Sequence, residues 1–335
     1  MLNYTAQEGN ATLNITDGSG KEESQNSEAK IEIVPDGAVE SLNLNTPTLT
    51  VELGEGTYGT VEALTATQTL IIGDGVTIET LILNGGALQV AEGATTSTIE
   101  NIVVKDAASF IEALKVAENI TLDDDVEEIN LDLTTGSFLT IGEGKEVSID
   151  LNGKTLTTST VSDSNVPDDI TVKGTLIVKN GNVKTANTAF FASGGTLTLT
   201  DCDVTTTSTY GAAAVMVSGA AGKLNISGGS YTGQGADIHD RYVIGVIGGS
   251  SATINTTVSG GNGGVTVIGA STANLTGGSY SGVKACGLYV AGGSTVTYAN
   301  DCTFSGVEGN VVVGGGTYGN GTVNGHEYTE YTKIQ

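Results

Sequence analysis

The sequence predicts an all-β fold built from stacked parallel coils, and three observations carry that reading. Near-identical stretches recur, as in "LNISGGSYTG" at 224–233 and "ANLTGGSYSG" at 273–282. Apolar triplets return at spacings of 25, 29, 21, 23 and 23 residues. The composition, with 49 Gly, 3 Pro and no Trp among 335 residues, suits many short strands joined by tight bends. Periods in the twenties with strand-type alternation are the pattern of a solenoid, in which each coil points alternate side chains inward and stacks them on the coil below.

The triplets are Phe190-Phe191-Ala192, Val215-Met216-Val217, Ile244-Gly245-Val246, Val265-Thr266-Val267, Leu288-Tyr289-Val290 and Val311-Val312-Val313. A second column precedes them at Val183, Val204, Tyr231, Val258, Tyr280 and Phe304. The paired glycines of "GGSY" form a bend, after which Tyr231 and Tyr280 re-enter the strand and stack in the interior.

The first third follows a shorter register. "VESLNL" at 39, "VEALTA" at 61, "IETLIL" at 78 and "IENIVV" at 99 share the frame [IV]-E-x-[LI]. They read as four coils of about two strands, with Glu40, Glu62, Glu79 and Glu100 forming an outward ladder, solvated because no Asp-rich loop completes a calcium cage. The helix "KDAASFIEALKVAEN" separates the registers. Ser109 and Glu112 suggest its capping box, and Phe110, Ala113, Leu114 and Ala117 form its apolar stripe, expected to cover the open end of the second solenoid. The expected organisation is a short-coil β-solenoid over 1–104 and a parallel β-helix over 105–335, with a capping helix at 106–118 and a C-terminal cap at 318–335. The cap is "HEYTEYTKIQ" with what precedes it, which breaks the repeat; His326 reads as a surface residue.

Charge and composition exclude several classes of function. Thirty-eight acidic against 13 basic residues give a formal charge of −25, which repels nucleic acid and anionic membranes. The acid reads as a spread, solvated surface, apart from runs such as Asp123-Asp124-Asp125 and the pair Asp168-Asp169. No segment approaches the roughly 20 apolar residues of a membrane span. "MLNYTAQEGN" has no signal-peptide character, and the low lysine content and Thr/Asn/Gly-rich chain suggest an exported protein, extracellular or on a bacterial cell surface, whose signal has been removed. A monomer is expected.

"SFIEALKVAENITLDDDV", followed by "LTIGEGKEVSIDLNGKTLT", resembles the start of right-handed parallel β-helix proteins of the pectate-lyase-like superfamily. The resemblance covers residues 106–335. It implies a right-handed β-helix of the kind found in bacterial surface and secreted proteins. It leaves function open, because that superfamily holds polysaccharide lyases and hydrolases beside adhesins without known activity.

Two adjacent coils carry long loops, and these supply the candidate site. The longer, "GQGADIHDRYV", contains Asp237, His239, Asp240 and Arg241, the last being the only arginine; the shorter holds Tyr210. Asp237 and Asp240 could act as acid and base with His239 or Arg241 assisting, although the dense carboxylate clusters of polygalacturonase-like members are absent. The middle residues of the triplets point outward, so Phe191, Met216 and Tyr289, with Tyr210 and Arg241, define either a shallow glycan groove or a face covered by a loop or the tail. No cofactor or metal is expected: "GGNGGVTV" lacks the Asp of a calcium nonapeptide, and there is no CxxC, His-x-x-His or phosphate loop. Cys202 and Cys302 occupy equivalent positions four coils apart, about 19 Å along the axis and beyond disulfide reach, so they and Cys286 read as free, inward thiols. The favoured reading is a non-catalytic surface or secreted module for adhesion or glycan binding, with a polysaccharide or a host or cell-surface glycan as its partner. A polysaccharide-degrading enzyme and a rigid spacer are the alternatives.

Overall fold

The structure is a computed structural model that describes residues 12–16, 30–35, 37–45, 50–63, 68–133, 138–159, 168–208, 212–234, 242–314 and 319–334. Apart from one helix, the regular elements of the described residues are strands, stacked as parallel coils except for two antiparallel strands of the tail. The chain divides into two compact units, Met1–Ile129 with Val147–Asn152 and Asn130–Glu146 with Gly153–Gln335.

The first unit is a solenoid with two strands per coil. A four-stranded parallel sheet of Lys30–Ile33, Thr50–Leu53, Thr69–Ile72 and Ala87–Val90 forms one side. Strands Val39–Asn45, Gly56–Ala63, Val76–Leu83 and Thr98–Val104 stack on the other. Alternation places Leu42, Val61, Leu81 and Ile102 inward in one column, each fully buried. Tyr58 is a large, fully buried side chain of this interior, and its hydroxyl donates to the carbonyls of Ile33 at 3.0 Å and Gly54 at 3.1 Å.

The glutamate ladder differs from the expected one. Val39 pairs with Tyr58, Tyr58 with Ile78 and Ile78 with Ile99, so Glu40, Glu79 and Glu100 share an exposed row in which Gly59, not Glu62, is the fourth member. Glu62 lies in the row of Asn43 and Ile82, 4.0 Å from Lys105. The frame V-E-x-L recurs three residues out of phase in that coil, and the inward Tyr58 takes the place the frame gave to a valine or isoleucine.

The helix, α1, spans Ala107–Val116 and buries Phe110, Ala113 and Leu114, with Ala117 also buried just beyond it. Its N-cap is Asp106, whose carboxylate accepts from the Ser109 backbone N–H at 2.7 Å while the Ser109 hydroxyl accepts from the Asp106 N–H at 3.1 Å. The capping box is therefore Asp106–Ser109, three residues earlier than Ser109–Glu112; Glu112 instead accepts from Lys115 at 2.6 Å. The apolar stripe packs on strands Ala87–Val90, Thr98–Val104 and Asn119–Leu122, so it covers the terminal strand of the four-stranded sheet.

The second unit has longer coils. Every expected triplet is in register: Phe190, Val215, Ile244, Val265, Leu288 and Val311 form one column, and Ala192, Val217, Val246, Val267, Val290 and Val313 another. Two earlier rungs, Leu139–Ile141 and Ile170–Val172, extend the same nine-stranded sheet. The second column also aligns, Val183 on Val204, Tyr231, Val258, Tyr280 and Phe304. Both sheets end on antiparallel strands of the tail, His326–Tyr328 on Gly321–Val323 and Thr332–Ile334 on Gly309–Val313, which occupy edges that would otherwise template further pairing.

Tyr231 and Tyr280 are both buried, and both phenols are pushed above their usual range by that burial. They differ in one respect. The Tyr280 hydroxyl donates to the carbonyls of Gly277 at 2.6 Å and Ile254 at 3.2 Å, whereas that of Tyr231 is buried with no hydrogen-bond partner. Removing a satisfied buried hydroxyl costs stability, and removing an orphaned one does not. Tyr280→Phe is therefore expected to destabilise the protein by about 1 kcal/mol, and Tyr231→Phe to leave it unchanged or more stable. Urea unfolding of the two variants checks this, and equal losses would contradict it.

Charge is divided unevenly along the chain, contrary to the expectation of a spread surface. Residues 1–152 hold 27 of the 38 acidic and 5 of the 13 basic residues; residues 153–335 hold the other 11 and 8. Between Tyr242 and Asn300 the single charged residue is Lys284.

Candidate functional site

The outward row of the nine-stranded sheet is Phe191, Met216, Gly245, Thr266, Tyr289 and Val312, each in register with the next. Phe191, Met216, Thr266 and Tyr289 are partly exposed, whereas Val312 is buried. The tail strand Thr332–Ile334 lies beside that last rung and pairs Lys333 with Val312. The row is thus covered at its C-terminal end and open further back.

In the open part lies a groove of about 420 Å³, lined by Tyr242, Thr266, Ile268, Gly269, Tyr289, Ala291 and Gly292. Thr266 and Ile268 come from strand Gly263–Ile268, and Tyr289 from Cys286–Val290. Tyr242 opens strand Tyr242–Ile247, and its ring stacks on Tyr289 with centroids 5.8 Å apart and planes at 23°. Tyr242 can lie along the sheet because its neighbour on the next rung is Gly263, where a Cβ would strike the ring. The ring therefore reaches across that rung to place its hydroxyl 3.8 Å from the Cys286 sulfur.

Of the residues singled out in the sequence, Tyr289 lines this groove; Phe191 and Met216 share its row but not its lining. Asp237, His239, Asp240, Arg241 and Tyr210 lie outside the described residues. Tyr242 escaped sequence reading, although a signal was present. Two residues before each triplet the successive rungs carry Tyr242, Gly263, Cys286 and Gly309, a large ring followed by small residues that leave it room.

Several other chemistry-bearing groups among the described residues are held in structural contacts. Among the described residues no group of three or more His, Cys, Asp or Glu is placed to hold a metal ion. Asp169 is buried and accepts hydrogen bonds from the Thr158 and Thr185 hydroxyls, which belong to one inward row. Burial also raises the carboxyl of Asp168 above the usual range. Asp123 lies 3.8 Å from Lys105, and Asp124 accepts from the Asn152 side chain at 2.8 Å.

All three cysteines are free, Cys202 and Cys286 buried and Cys302 partly so. The Cys202 sulfur donates to the Val178 carbonyl and that of Cys302 to Leu275, the equivalent bond. Burial pushes the Cys202 thiol up to about 12 and that of Cys286 to about 11, so both stay protonated and pack as small apolar groups.

Fold and groove together define a class: a parallel β-solenoid carrying an aromatic-walled groove on the outer face of one sheet. No protein-family model, characterised protein or solved structure matches the chain.

Proposed function

We propose that this protein is a non-catalytic glycan-binding module of a bacterial cell surface or secretome, related to the pectate-lyase-like β-helix proteins, and that the groove at Tyr242 and Tyr289 is its binding site. The observation that carries the reading is the pair of stacked, partly exposed tyrosines beside a hydroxyl-bearing floor. Sugars present apolar C–H faces and polar edges, and aromatic rings with neighbouring hydroxyls match both. A volume of about 420 Å³ suits one or two sugar rings. The formal charge of −25 disfavours nucleic acid as the partner, and an uncharged polysaccharide meets no such repulsion. The module acts as a monomer and needs no cofactor.

Replacing Tyr289 with alanine removes a ring that is only partly buried, so the fold should survive. Binding on a glycan array, followed by calorimetry with the best ligand, is expected to weaken about tenfold or more in Tyr289→Ala and in Tyr242→Ala. Release of reducing ends or of unsaturated sugars from a polysaccharide panel would instead favour an enzyme, with Asp237, His239, Asp240 and Arg241 the first residues to replace. Neither binding nor release would favour a rigid spacer.

A further inference from the structure

We infer that the groove selects uncharged sugars and discriminates against their uronic-acid counterparts, an inference that rests on the glycan-binding reading above. Its described lining offers two phenols, the Thr266 hydroxyl, the Ile268 and Ala291 side chains and backbone at Gly269 and Gly292. None of these is a cation. The strands that build the lining are nearly neutral too, for the 59 residues from Tyr242 to Asn300 contain Lys284 alone, which is exposed and outside the groove. The charges that other described residues bring near Cys286, beneath the Tyr242 hydroxyl, are Glu308 and Lys333, which oppose each other; Arg241, next to Tyr242 in sequence, lies outside the described residues.

A ligand carboxylate entering this site would give up part of its hydration without gaining an ion pair or a charge-assisted hydrogen bond. It would also approach a molecule whose formal charge is −25, although residues 153–335, which build the groove, hold only 11 acidic against 8 basic residues, so its association would be slowed only modestly and only at low salt. An uncharged ring meets neither penalty. It can lay its C–H face on an aromatic wall while its hydroxyls exchange water for Thr266 and the phenols. Gly263 is the positioning residue in this arrangement, because a side chain there would lift the Tyr242 ring from its place beside Tyr289.

The test uses the whole chain and pairs of oligosaccharides that share linkage and ring configuration and differ only in carrying a hydroxymethyl or a carboxylate at the same carbon. Affinities are measured by calorimetry at low and at physiological salt, for the parent protein, Tyr289→Ala, Gly263→Ala and Thr266→Lys. The expected result is neutral members bound at least tenfold tighter than acidic ones, with neutral affinity indifferent to salt. That affinity should be lost in Tyr289→Ala and reduced in Gly263→Ala, while circular dichroism is unchanged. Thr266→Lys should narrow or reverse the preference. Acidic members bound as tightly as neutral ones, and lost equally in Tyr289→Ala, would overturn the selectivity and leave the glycan site standing. No binding of either member by the parent protein would overturn the glycan reading itself, and the selectivity with it.

Discussion

Gly278→Ala is expected to destabilise the second solenoid by roughly 3 to 5 kcal/mol. Gly278 has φ +105°, and a Cβ at that position would collide with the backbone carbonyl oxygen of Thr256 on the preceding rung. Two costs therefore add: an L side chain in a region that favours glycine, and a steric conflict with a carbonyl fixed by the sheet. Gly144→Ala separates them. Gly144 has φ +74°, but a Cβ there would have nothing within 4 Å, so only the backbone term applies, about 1 kcal/mol. Urea midpoints of the two variants measure the difference. Equal losses would mean that the rungs do not approach each other at this bend as closely as described.

Phe190→Ala should cost about 3 to 5 kcal/mol. Phe190 is fully buried and is the largest side chain of its column, with Ile170 below and Val215 above. Each rung of a solenoid touches little beyond its two neighbours, so a void there cannot be filled by distant side chains. The damage should also be local. Hydrogen exchange is expected to accelerate most in strands Ile170–Val172, Phe190–Ser193 and Val215–Ser218, and much less in Gly309–Val313. Uniform acceleration across the sheet would argue for a single cooperative core rather than stacked rungs.

Much of this architecture is legible in the residues, because in a solenoid the side-chain alternation and the coil period are set by the same local rule. The six triplets and the column from Val183 to Phe304 fall into register despite spacings from 21 to 29, since the extra residues are taken up between the aligned strands. Short frames are less dependable. The V-E-x-L match at 61 gave steps of 22 and 17, whereas the coils advance by 19, 20 and 21 residues at Tyr58, Ile78 and Ile99. The more even period was the better guide. Likewise Asp106 and Ser109 form the helix cap because a carboxylate at the N-cap satisfies the first turn wherever a partner stands three residues on.

The site was legible only in part. Tyr289 follows from the outward parity of the triplets. Tyr242 does not, because its place depends on what its neighbour lacks: the ring lies flat only over a residue without a Cβ, and that relation joins positions 21 residues apart in sequence. The division of charge was present in the residue counts and needed only to be taken half by half. Its consequence for ligand choice emerges when the neutral stretch is seen to build the groove.

The stacking of like positions along one axis is tested most directly by a distance between spin labels. Thr198, Asn225, Thr253, Asn274 and Thr297 succeed one another in one outward row. Labels at Thr198 and Thr297, in a background without the three native cysteines, should give a backbone separation near 19 Å, four rungs at about 4.8 Å each. Labels at Thr198 and Thr253 should give about half that separation. Distances that do not scale with the number of rungs, or a broad distribution spanning both values, would contradict the stacked-coil architecture on which the groove and its selectivity depend.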